Sequence, residues 1–159
     1  MGRMYVVQFA AVAVTVAQDL FEIKCASDSP LILHEVRITQ DSDAGNAQSE
    51  QLRFTVKRAA GSYTSGSGGS TPTPALIASQ DGAAAFTCEA NNTTRAAVGT
   101  GTLVTLITTA DNIHNGWHYL PTPECRPTAA ATEAFVIGLE AAPADSLTMN
   151  GYAIVEEIG

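Results

Sequence analysis

A chain of 159 residues with a net charge of −8 is one domain's worth of sequence, long enough to bury a core without cross-links. Apolar residues at 45% exclude a disordered tail, and charged residues at 15% fall well below the usual ~25%. The acidic balance repels phosphate backbones and anionic lipid, and no run of ~18 apolar residues is present, so neither nucleic acid nor a membrane is expected as partner.

The pattern is period two almost throughout, which predicts strands. The N-terminal residues 4–16 mimic a secretory leader, with Arg3 followed by an apolar run. Gln8 breaks that run, and Val, Thr and Phe stand where Leu is expected, so a strand is read instead. Val6 also occupies the position where a myristoylation motif needs Ser or Thr. A second strand is expected over 19–25. In the third, Ile32, His34, Val36 and Ile38 share one face, and Leu33, Glu35, Arg37 and Thr39 take the other. Leu52, Phe54 and Val56 alternate with Gln51, Arg53, Thr55 and Lys57, a half-buried strand with a wet face. Residues 59–74, rich in Gly, Ser, Thr and Pro, cannot pack as a core element and read as a contact loop held down by neighbouring chains. Further strands are expected over 84–90, 102–109 and 116–120, and through Phe135, Ile137 and Leu139. Asn150-Gly151 between apolar stretches predicts a two-residue hairpin, with Tyr152 and Ile154 opening a last strand that runs to about Ile158. Helix is confined to short turns at 83–85 and 129–134, neither with an apolar stripe. The expected fold is all-β: a single antiparallel two-layer sandwich over residues 1–159, jelly-roll-like, with eight or nine strands.

Signatures of reaction chemistry are missing. Cys25, Cys88 and Cys125 are widely spaced and odd in number. Three reduced thiols packing as small apolar residues are expected, with one disulfide plus a free thiol as the alternative. His114 and His118 stand four apart in a strand-like context, about 13 Å at ~3.3 Å per residue, too far for one metal. His34 reads as a hydrogen-bonded core histidine. Asp41-Ser42-Asp43-Ala44-Gly45-Asn46 opens like a calcium loop and then departs from it, so an Asx-rich turn is expected. There is no Gly-x-Ser-x-Gly elbow, no P-loop, and Glu156 and Glu157 point to opposite faces. Asn91-Asn92-Thr93-Thr94 holds overlapping glycosylation sequons, which matter only in a eukaryotic secretory pathway. No cofactor, metal or catalytic residue is assigned.

Five segments carry a resemblance. They are Ala17-Gln18-Asp19-Leu20-Phe21-Glu22-Ile23, the loop from Gly66 to Pro74, the stretch from Gly116 to Glu124, the stretch from Ala141 to Gly151, and the ending Glu156-Glu157-Ile158-Gly159. The chain resembles small jelly-roll-like decoration (cement) proteins of tailed bacteriophages over most of its length. The resemblance implies a non-enzymatic virion protein on the capsid exterior, made in the host cytoplasm. Its implied partners are the major capsid protein and further copies of itself, a trimer being one form. No residue role transfers with it. On that reading Tyr5 and Val7 of the first strand, Tyr63 of the loop, and Trp117 with Tyr119 form the expected contact surface. A carbohydrate- or receptor-binding lectin-like module is the alternative, and it requires Trp117 and Tyr119 as an exposed ring platform. A small β-sandwich enzyme is the third reading.

Overall fold

A computed structural model describes residues 2–42 and 50–159. Asp43, Gly45 and Asn46 of the calcium-loop resemblance lie outside the described residues. Eleven strands form two antiparallel sheets, more than the eight or nine expected. In chain order they are β1 (Arg3–Val14), β2 (Gln18–Lys24), β3 (Leu31–Gln40), β4 (Gln51–Ala60), β5 (Ala75–Leu76), β6 (Thr87–Asn92), β7 (Thr102–Asn112), β8 (Trp117–Tyr119), β9 (Thr128–Ala129), β10 (Ala134–Leu139) and β11 (Leu147–Glu157). One sheet runs β5-β1-β11-β3-β8, with β9 also on β3, and the other runs β6-β2-β10-β4-β7. Without β5, β6 and β9, the remaining strands run β1-β11-β3-β8 and β2-β10-β4-β7, the two sheets of a jelly roll. Two of the three additions, β5 and β9, are two-residue strands too short to show a period.

Three corrections concern pattern. The chain makes no hairpin at Asn150-Gly151, because β11 runs straight through it. Gly151 lies between Phe9 and Ile38, and a Cβ there would stand 2.6 Å from the Phe9 ring and 2.7 Å from Ile38 Cδ1. Asn150 accepts the Ala11 N–H at 2.8 Å, and Ala11 has φ 53 in a bulge of β1. The dipeptide therefore serves a bulge rather than a turn. That bulge also switches the inward residues from Tyr5, Val7 and Phe9 to Val12 and Val14. In β3 the register slips opposite Ile154/Val155, leaving His34 without a partner on β11. Leu31 and Leu33 consequently face inward with Val36 and Ile38, and the expected one-face set containing Ile32 and His34 is broken. Among the described residues the one helical turn is a 3-10 turn, Pro123–Cys125, not at 83–85 or 129–134.

The core joins the sheets through aromatic pairs. Phe9 meets Phe21 at 5.2 Å between centroids, and Trp117 stacks on Phe54 at 5.0 Å with planes 4° apart. Each such ring contributes roughly 1.5–3 kcal/mol by burial. Residues 61–101, between β4 and β7, wrap one side of the sandwich. On that side β5 extends the first sheet beyond β1, and β6 extends the second beyond β2. On the opposite side β7 is the outermost strand of its sheet. The chain ends meet, since Arg3 pairs with Glu157 in the ladder between β1 and β11.

Candidate interaction surface

The 61–101 excursion has two limbs. The outgoing limb pairs antiparallel with the return limb and the free edge of β6 through Thr64–Ala97, Ser67–Thr94 and Ser70–Ala90. Both limbs lie over β2, whose outward acidic side chains Asp19 and Glu22 are buried. Glu22 accepts hydrogen bonds from the Tyr63 hydroxyl at 2.9 Å, the Gly66 N–H at 2.8 Å and the Ser65 hydroxyl. Asp19 accepts the Ala96 N–H at 2.6 Å and Arg95 Nε at 3.3 Å. Burial raises the Asp19 carboxyl above its ordinary value, against the pull of Ala96 and Arg95. Burial and the neighbouring Glu22 carboxylate likewise push the Tyr63 hydroxyl up. The Gly/Ser loop is thus anchored by hydrogen bonds within its own chain. Glycine is needed here for a second reason: Gly68 has φ 88, and a Cβ on it would stand 2.7 Å from the Thr93 hydroxyl.

Beside this lies a second network. Glu140 Oε1 accepts from Arg95 at 2.7 Å, Lys57 at 2.7 Å and the Thr55 hydroxyl at 2.5 Å. Burial alone would raise this carboxyl, but the three donors together hold it at about 2. A side chain at Gly138 would enter the cluster, 2.9 Å from Arg95 and 3.0 Å from Glu140. Thr55 is buried under it, so the outer face of β4 is not uniformly wet. An open depression of about 250 Å³ over β4 and β7 is lined by Arg53, Thr55, Lys57, Thr105, Thr108 and Glu140.

The other outer face carries paired groups of the same kind. Glu35 Oε1 accepts the Tyr152 hydroxyl at 2.5 Å and lies 2.9 Å from His118 Nε2. His34 is hydrogen-bonded, as expected, through Nε2 to Glu156 at 2.9 Å, but it sits half-buried on this outer face rather than in the core. Glu156 and Glu157 do point oppositely. Glu157, fully buried, takes Arg3 at 2.7 Å and the N–H groups of Ala85 and Phe86 at 2.9 and 3.2 Å. Among the described residues no three His, Cys, Asp or Glu side chains gather to hold a metal. Cys25 and Cys88 are buried free thiols, and burial pushes Cys25 up to about 11. Cys125 is also free but exposed, so it does not pack as the apolar residue expected.

Three of the five residues expected on the contact surface are buried. Tyr5 and Val7 are 0% exposed and Trp117 is 2% exposed, all within the core. Before the bulge the odd-numbered positions Tyr5, Val7 and Phe9 of β1 face the opposite sheet, and Trp117 is clamped between Phe54 and Tyr119, whose ring lies 6.2 Å away. Tyr119 is half-buried in that stack, so the exposed ring platform of the lectin-like alternative is not formed. Tyr63 alone belongs to the excursion, where its hydroxyl is committed to Glu22. What the sequence reading passed over is the pair Asp19 and Glu22. Their signal was two acids interleaved with Leu20, Phe21 and Ile23 on one strand, together with a Gly/Ser loop whose N–H groups need acceptors. No family model, curated protein or solved structure matches this chain.

Proposed function

We propose that this chain is a non-enzymatic structural protein of a virus particle. In this reading it is a decoration protein that binds the exterior of an assembled tailed-phage shell and braces neighbouring major capsid subunits. The observation that carries the reading is the excursion anchored on Glu22 and Asp19. Its surface is mostly Gly, Ser, Thr and Ala, with Leu76, Ile77 and Val98 as its exposed large apolar residues, so most of its side chains have little rotamer freedom to lose on a backbone already fixed. Such a surface binds a broad, flat partner at low entropic cost. Binding only the assembled shell then stabilises it by mass action.

The test compares particles with and without the protein. Particles lacking it should release their genome at a lower temperature and under milder osmotic shock, and adding the purified chain should restore robustness. Val98→Arg should weaken shell binding while leaving the chain's own melting temperature unchanged. Equal robustness of the two kinds of particle would sink the proposal.

A further inference from the structure

We infer that β7 is a self-docking edge, at which two copies of this chain pair antiparallel about a two-fold axis and join their second sheets into one. The inference stands apart from shell binding. It starts from the four sheet edges. In the first sheet β5 covers only Tyr5 and Val6 of β1, while β8 and β9, with three and two residues, lie along β3. In the second sheet the β6 edge is covered by the excursion through Ser70–Ala90. Among the described residues the other edge of the second sheet is β7, with eleven residues.

An open edge is normally blunted by Lys, Pro, a bulge or shortness. β7 has no Lys or Pro and is long, and its one blunting device is the slip at Leu106. It reads Thr-Leu-Val-Thr-Leu-Ile-Thr-Thr-Ala-Asp-Asn, uncharged from Thr102 to Ala110, with Val104 47% exposed. Its Thr, Val and Ile residues are strong strand formers. One irregularity exists, a register slip against Val56/Lys57 that leaves Leu106 without a partner on β4. Residues 107–112 beyond it pair with β4 without interruption. The backbone donors and acceptors along the outer side of such a strand need a partner strand or water.

Charge selects the occupant. Asp111 is the one ionisable residue of β7 and stands near its C-terminal end, while Arg58 of β4, which donates to the Thr128 carbonyl at 3.1 Å and lies 3.8 Å from Glu133, pairs with Val104 near the other end. Antiparallel pairing of two copies brings Asp111 of each towards the Arg58 end of the other. Parallel pairing would set Asp111 against Asp111. No like-charged pair arises along the uncharged stretch, and opposed threonines make favourable cross-strand contacts. A two-fold arrangement is closed, so pairing stops at two copies and does not run on into a fibre.

The test uses the full chain in solution. Sedimentation velocity over a concentration series should show a monomer–dimer equilibrium, with hydrogen-exchange protection at 102–112 rising with concentration. The double variant Val104→Lys/Thr108→Lys, its fold checked by circular dichroism, should raise the dissociation constant about tenfold or more. Asp111→Arg should weaken the dimer, and adding Arg58→Glu to it should recover the loss. A chain that stays monomeric at every concentration overturns the inference and leaves shell binding untouched. So does an oligomer indifferent to the lysines, or one whose protected amides lie elsewhere. Indifference to Asp111→Arg overturns the antiparallel register.

Discussion

Glu140 shows how a single carboxylate couples three elements. It follows β10 and draws Lys57 and Thr55 from β4 and Arg95 from the excursion onto one oxygen. Its folded value of about 2 lies below the ordinary 4.5. Its stabilisation is therefore complete above pH 4.5 and is lost as the pH falls towards 2. Asp19 acts in the opposite sense, because burial raises it, and ionising it costs stability as the pH rises. The expected outcome for Glu140→Gln is a lower melting temperature at neutral pH and a flatter acid limb than the parent. Thermal melts across the acid range check this, and parallel acid limbs would contradict it.

At the scale of elements, bulges and buried acids decide what periodicity cannot. The alternation in β4, and in β10 at Phe135, Ile137 and Leu139, was legible because those strands present an unbroken inward set to the opposite sheet. In β1 and β3 a single extra residue reverses the phase halfway, and a period-two reading has no means of seeing it. Gly151→Ala places a methyl group between Phe9 and Ile38 and should cost about 1–3 kcal/mol in urea unfolding. Ordinary tolerance there would mean that the two side chains relax freely. Glu22→Ala leaves Tyr63, Ser65 and Gly66 without their acceptor. Hydrogen exchange should quicken over 63–70, with a global loss of about 1–3 kcal/mol. Unchanged protection would show that the strand-like pairing to 90–97 holds the limb alone.

For the molecule as a whole, composition and period sufficed for the two-layer class, and the jelly-roll order is that of β1-β11-β3-β8 and β2-β10-β4-β7. The contact residues were not legible. Large rings such as Trp117 and Tyr5 attract attention in a sequence, yet in a sandwich this size they are what fills the space between sheets. The outward surface is built instead from Thr, Ser, Gly and Val, residues with no individual signature.

The meeting of Arg3 with Glu157 has a practical reach. Residues 2 and 159 can be spliced by a short linker, and the ring so formed can be reopened in the exposed segment between β10 and β11, near Asp145. Such a circular permutant keeps every ladder and should melt within a few degrees of the parent, as calorimetry would show. Any cargo fused at residues 2 and 159 would leave from a shared pole.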